Sequence, residues 1–133
     1  VLCDGSPGVG CPVISSLSGA SLAVAVVEPT PSGRHDFDRV ADLCRHFRIP
    51  VAVIINKADL NPDAADALEA DARSAGHLVA GRLPFSPLAV QAMTRGEALT
   101  ERDSPLADEL ARIWRRIAGP TEAPSRRSIS DRP

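Results

Sequence analysis

Short unbroken apolar runs alternate with stretches of helical periodicity along this chain. The runs at 22–27, 51–55 and 78–83 are rich in Val, Ala, Ile and Leu. Runs of that length without polar interruption suit strands buried on both faces of a parallel sheet. The first ten residues, Val1-Leu2-Cys3-Asp4-Gly5-Ser6-Pro7-Gly8-Val9-Gly10, predict a further buried strand. It would end at Asp4 and lead into a glycine-rich loop. Phe37, Val40, Ala41, Cys44 and Phe47 recur at helical spacing, which predicts an amphipathic helix over about 34–47. Asn61-Pro62, Ser86-Pro87 and Ser104-Pro105 each pair a capping side chain with a proline, which predicts three later helix starts. Gly76, Gly96 and Gly119 stand where helix ends favour a left-handed residue. The last helix is expected to bury Leu106, Leu110, Ile113, Trp114 and Ile117.

The order reads β-loop-β-α-β-α-β-α-α. Such alternation predicts an α/β fold, a parallel Rossmann-like sheet with helices on both faces. Right-handed crossovers then gather all strand carboxyl ends on one side. Four segments carrying chemistry fall there: Asp4, 28–32, 56–59 and 84–86. Ligands of open α/β sheets bind at that edge.

Composition narrows the class. In 133 residues, 44% hydrophobic content supports one core, and the 3% of aromatics leaves it to aliphatic side chains. The domain is expected to span 1–119. Residues 120–133 are polar and proline-rich, which predicts a disordered tail. A formal net charge of -2 gives no electrostatic case for nucleic acid or an anionic membrane. No apolar run approaches the roughly 20 residues of a membrane span, and no leader pattern is visible. Cys3, Cys11 and Cys44 are few and widely spaced, which fits a reducing cytoplasm better than a disulfide framework. Cys3 and Cys44 are expected in the core. His35, His46 and His77 are scattered without metal-ligand spacing. The arginines at 112, 115 and 116 read as a solvated face near a helix end.

Two motifs carry candidate chemistry. An acid at the position of Asp4 holds Mg²⁺ in nucleotide hydrolases, directly or through water, and the loop after it senses a γ-phosphate. Gly5, Gly8 and Gly10 would let backbone N–H groups approach phosphate. A capped turn after a strand is the plainer alternative. In Asn56-Lys57-Ala58-Asp59, the Asn amide can pair with a purine edge, and Asp59 could accept from guanine N1 and N2. Alternatively, Asn56 and Asp59 cap turns leading to the helix at Pro62. A GTPase would carry Asp-x-x-Gly, but Pro7 occupies the fourth position and Gly8 comes one residue late. A phosphate-cradling G-x-x-x-x-G-K-[ST] loop is absent from these residues.

The stretch from Asp4 through Gly5, Pro7, Gly8 and Gly10 to Cys11-Pro12 is one part of a wider pattern. Taken with Glu28-Pro29-Thr30-Pro31-Ser32-Gly33, Asn56-Lys57 and Gly81-Arg82-Leu83-Pro84-Phe85, it resembles the MinD/ParA-type P-loop ATPases. Within them it resembles the subgroup with an inserted ferredoxin-like [4Fe–4S] segment, up to about Ile117. The resemblance implies the carboxyl-terminal half of an ATP- and Mg²⁺-binding domain, with the phosphate loop and cluster cysteines expected upstream of Val1. It implies a face-to-face homodimer in the full-length protein and an iron–sulfur or ferredoxin-like partner. By position, Asp4 would be the Mg²⁺-linked acid and Gly5, Pro7, Gly8 and Gly10 the switch loop. Asn56, with Lys57 and Asp59, would lie at the base, Pro84 and Phe85 would flank the adenine, and 28–32 would lie beside the dimer face. Cys11 lies seven positions after Asp4, the offset at which the related nitrogenase iron protein places a cluster ligand; the plainer alternative is a small buried residue starting a short helix before Pro12. These residues alone are expected to lack ATPase activity. The rival reading is a non-catalytic dimerisation or partner-binding module, and a GTPase fragment is a third.

Overall fold

The computed structural model describes residues 1–5, 10–101 and 104–119. The elements in chain order are α1 (Cys11–Leu17), β1 (Ala23–Val27), α2 (Pro31–His46), β2 (Val51–Asn56), α3 (Pro62–Ser74), β3 (Leu78–Leu83), α4 (Pro87–Arg95), a 3₁₀ turn (Leu99–Glu101) and α5 (Pro105–Ala118). The three strands form one parallel sheet in the order β1-β2-β3. Ala23 to Val27 pair in register with Val51 to Ile55. Between β2 and β3 the register shifts at Val53/Ile54, so Val79 opposes Val53 but Gly81 opposes Ile54.

The strand alternation sorts the core onto two faces. On one face, Val51, Val53 and Ile55 of β2 meet Val27, Val79, Phe37, Ala41 and Cys44 of α2, and Ala65, Leu68 and Ala72 of α3. Val13 and Leu17 of α1 join this cluster. On the other face, Ile54 and Ala80 meet Ile113 of α5, with Leu83 and Ile117 packed alongside. Gly81 makes that approach possible. A Cβ there would stand 2.6 Å from Cγ1 of Ile113, so any larger residue pushes α5 off the sheet.

The starts at Pro62, Pro87 and Pro105 fall where expected, but Ser86 makes no side-chain cap bond, and α2 begins at Pro31, three residues before the expected start. Proline occupies the first turn of α2, α3, α4 and α5. Thr30, Asn61 and Ser104 accept from backbone N–H groups three residues on. Gly76, Gly96 and Gly119 all take positive φ. The helix α2 ends differently: Arg48 adopts φ 58°, and its helix closes with Ile49 N–H donating to Cys44 O at 2.9 Å. That is the bonding of a Schellman cap built on a side chain in place of glycine.

Several expectations are corrected. Residues 1–5 form no strand and are exposed, Val1 fully and Leu2 largely so. A strand needs a neighbour for its N–H and C=O groups, and among the described residues the only ladders are β1–β2 and β2–β3. Cys3 is therefore exposed and not in the core, whereas Cys44 is fully buried as expected. Phe47 and Trp114 are 44% and 39% exposed and do not belong to the apolar stripes of α2 and α5. A short helix, α1, does start at Cys11, as in the plainer reading of that residue, but Cys11 is exposed and not buried. Pro7, Gly8 and the tail 120–133 lie outside the described residues.

Candidate functional site

Parallel pairing places the ends of β1, β2 and β3 on one edge of the sheet. Three of the four expected segments therefore come together there. They are also tied to one another. The ammonium of Lys57, just past β2, forms an ion pair with the Glu28 carboxylate, just past β1, at 2.5 Å. Past β2 and β3, the Phe85 N–H donates to Asp59 Oδ1 at 2.6 Å, and the Ala58 N–H donates to Leu83 O at 3.0 Å.

Each loop has a local cause. Asn56 is half-buried, and its Oδ1 accepts from the Lys57 N–H at 3.1 Å. Lys57 itself takes φ 53°, the left-handed region that side chains with a Cβ rarely adopt. From this turn the Lys57 side chain reaches Glu28 past β1, and Asp59 reaches Phe85 past β3. After β1, the Thr30 N–H donates to Glu28 O at 2.8 Å, folding the loop tightly onto the start of α2. Gly33 fits only because it lacks a Cβ, which would stand 2.4 Å from Glu28 O. Pro84 and Phe85 carry the chain from β3 to α4, and the Phe85 ring is 47% exposed at this edge.

Behind the edge, β3 is fastened to α3 by charge. Arg82 donates to Glu69 at 2.6 Å and to Asp66 at 2.7 Å, and Arg73 donates to Glu69 at 2.7 Å. The Arg73 hydrogen bond, with that of Arg82, holds the Glu69 carboxyl below its ordinary range against the opposing effect of burial. Hydrogen bonds to Asp66 and Glu69 hold the Arg82 guanidinium above its ordinary range. Burial pushes the Cys44 thiol up, consistent with an inert core residue.

Asp4 is exposed, and among the described residues no hydrogen bond or ion pair joins it to the three loops. Gly5 lies beside α1, where an added Cβ would be 3.5 Å from Ser16 Oγ. Gly10 precedes α1 as its N-terminal cap residue, and Cys11 opens that helix with its thiol exposed. Among the described residues, no three His, Cys, Asp or Glu side chains stand together as a metal site. No helix of the described residues is long and apolar enough to cross a membrane.

Sequence reasoning missed the ties between loops. The Glu28–Lys57 pair joins residues on neighbouring strands, and nothing in the local pattern marks it. Asp66 and Glu69 did carry a signal: two acids three apart on α3 share a helix face. Gly33, in the first turn of a helix, also hinted at a close backbone approach.

Comparison with known proteins adds one relative. A stretch of 58 residues, 44% of this chain, is 40% identical to an uncharacterized protein of Methanocaldococcus jannaschii. That stretch covers 21% of the relative, so the chain spans about a fifth of that protein's length. No protein-family model matches the chain, and no solved structure matches it significantly.

Proposed function

We propose that this chain is the carboxyl-terminal half of a MinD/ParA-like P-loop ATPase domain, whose strand-end loops form the base-binding side of an Mg-ATP site. The observation that carries this reading is the convergence of Glu28, Asn56 to Asp59 and Leu83 to Phe85 on one sheet edge, cross-tied by the Lys57–Glu28 and Phe85–Asp59 contacts. That edge is where open α/β sheets bind ligands. Mg-ATP bound there would supply phosphoryl transfer to water, a reaction that proteins accelerate mostly by positioning and charge. In this reading Asn56 contacts the purine edge, Pro84 and Phe85 flank the ring, and Asp4 orients the Mg²⁺ shell. The exposed Asp4 carboxylate, free of protein partners among the described residues, fits an outer contact to that cation but does not make a cation site by itself.

The residues fit an iron–sulfur group less well. Cys44 is closed inside the core, which leaves the exposed Cys3 and Cys11. Within one chain two thiols do not complete a cluster held by four, so no step is derived through one. An iron–sulfur link, with Cys11 as one ligand across a face-to-face homodimer, belongs to the proposal for the full-length cytoplasmic protein.

A second reading, a partner-binding module, is favoured by the outer face of β1, which no described residue covers and where Val24 and Val26 are exposed. Mg-ATP binding measured on the full-length protein and on residues 1–133 separates the two. The ATPase reading expects nucleotide binding and hydrolysis by the full-length protein, with hydrolysis lost on Asp4→Ala. It expects no turnover by residues 1–133 and little or no rise in their melting temperature with Mg-ATP. Absence of nucleotide binding to the full-length protein refutes it. Turnover by residues 1–133 that disappears on Asp4→Ala refutes the assignment of this chain as an incomplete half.

A further inference from the structure

Asp59 stands three positions after Asn56, where a carboxylate has two possible tasks. It can read the N1 and N2 donors of a guanine, or it can hold the neighbouring loop. The geometry points to the second: we infer that Asp59 is a positioning residue that fixes the loop after β3 through the Phe85 amide, and that it does not select the base. This rests on the nucleotide reading above and names the base class, a purine ring read without a carboxylate.

Three observations carry it. The Asp59 Oδ1 already accepts from the Phe85 N–H at 2.6 Å. A carboxylate accepting from an amide is a charge-assisted bond, and this one directs Oδ1 toward the loop after β3. A second tie runs alongside, since the Ala58 N–H donates to Leu83 O at 3.0 Å. Two bonds from adjacent residues of one loop to the same short segment define a clamp. Finally, the left-handed turn at Lys57 sets the direction of Asp59, which emerges toward β3 while Lys57 turns back to Glu28. Asn56 then remains as the side chain of this motif that can offer a base edge a donor: its Oδ1 accepts from the Lys57 N–H, and its amide NH2 has no hydrogen bond to the described residues.

The clamp also explains the exposed Phe85 ring beside it. With its amide held, Phe85 cannot swing away, and the ring stays at the edge where a base would stack. An unclamped loop would have to be ordered on binding, and that ordering weakens affinity for every base alike.

The test has two arms. On residues 1–133, the amide of Phe85 is followed by hydrogen exchange and proton chemical shift in Asp59→Asn and Asp59→Ala. The Asn side chain keeps an acceptor oxygen, so Phe85 stays protected, whereas Ala removes it and exchange speeds up by about threefold to tenfold. Unchanged exchange and shift in Asp59→Ala overturn the clamp. On the full-length protein, affinities for Mg-ATP, Mg-GTP and Mg-XTP are measured for the same variants. Asp59→Asn leaves the order of the three unchanged, and Asp59→Ala weakens them by a common factor. A switch in Asp59→Asn from the guanine to the xanthine nucleotide makes Asp59 a base reader and overturns the inference. If the wild-type protein binds none of the three, the nucleotide reading falls, and the exchange arm still decides whether Asp59 holds Phe85.

Discussion

The two sides of this sheet are built from the same kind of strand and finish very differently. Central β2 is covered on both faces: Ile55 is fully buried under α2 and α3, and Ile54, pointing the other way, is 8% exposed under α5. One strand over, the described residues cover β1 on one face only. Val27 is 5% exposed, while its neighbour Val26 is 62% exposed and Val24 is 39% exposed. Both strands are continuous apolar runs, so the difference lies in the helices. On the first face, α1, α2 and α3 reach all three strands. On the second, α5 lies over β3, drawn in by the missing side chain of Gly81, and extends no farther than Ile54. An apolar run therefore reports that a strand can be buried on both faces. Which face is covered depends on where a helix several elements away comes to rest.

The largest effect is expected where cover is complete. Ile55→Ala should lower stability by about 2–5 kcal/mol, since it removes buried methyl groups and leaves a cavity between two helices. The measurement is the urea midpoint at constant m-value. A loss below about 1 kcal/mol would mean that the three-helix face is loosely packed and that the contrast with β1 is overstated.

Next comes the hinge of the other face. Gly81→Val should cost about 1–3 kcal/mol by overpacking against Ile113. The added Cβ would meet Cγ1 and Cδ1 of that residue at 2.6 and 2.9 Å. The double variant Gly81→Val with Ile113→Ala should be less destabilised than the sum of the single changes, because the smaller residue relieves the clash. Strict additivity would show that α5 does not sit on Gly81 in solution.

A smaller effect involves the ion pairs that fasten β3 to α3. Hydrogen bonds from Arg73 and Arg82 lower the folded-state pKa of Glu69. A carboxyl so depressed adds stability above its unfolded value of about 4.3, and that stability is lost as pH falls through the folded value. The pairs are partly exposed, with 36% of Arg82 and 22% of Glu69 accessible, so solvent screens them and the contribution is below about 1 kcal/mol. Comparing Glu69→Gln with the wild type at pH 7 and at pH 3 checks the sign. The gap between the two should shrink at the lower pH, and a constant or growing gap contradicts the assignment.

Much of this arrangement was legible in the residues. The three apolar runs became β1, β2 and β3 with ends shifted by at most one residue, and the proline-led starts at Pro62, Pro87 and Pro105 fell where expected. Those signals are local: a capping side chain, a ring without an N–H, an unbroken β-branched run. Val1 to Asp4 carried the same apolar signal and formed no strand, because pairing is a property of two segments and no ladder partner lies beside it among the described residues. Trp114 shows the same limit on a helix. Its periodic position predicted burial, yet α5 meets the narrow patch at Ala80 and Gly81 through Ile113, and the indole one residue on stays exposed. At the candidate site, Asn56, Lys57 and Asp59 could be picked out by type and spacing. Their roles could not, since the Glu28 and Phe85 contacts join residues 29 and 26 positions away.

The smallest expected effect, at Val26, gives the sharpest test of the two-sided contrast when it is set against its neighbour. Val26→Ser and Val27→Ser make the same chemical change at adjacent positions of one strand, so differences in strand propensity nearly cancel. Val27 lies in the main cluster, and its replacement removes apolar contact and brings a hydroxyl into the core, which should cost about 2 kcal/mol or more. Val26 faces away, 62% exposed, and its replacement should change stability by no more than about 0.5 kcal/mol. Urea midpoints of the two variants, measured at several protein concentrations, give the ratio directly. Two comparable losses would mean that the outer face of β1 is covered in solution, and a Val26→Ser loss that grows with protein concentration would place that cover in another molecule.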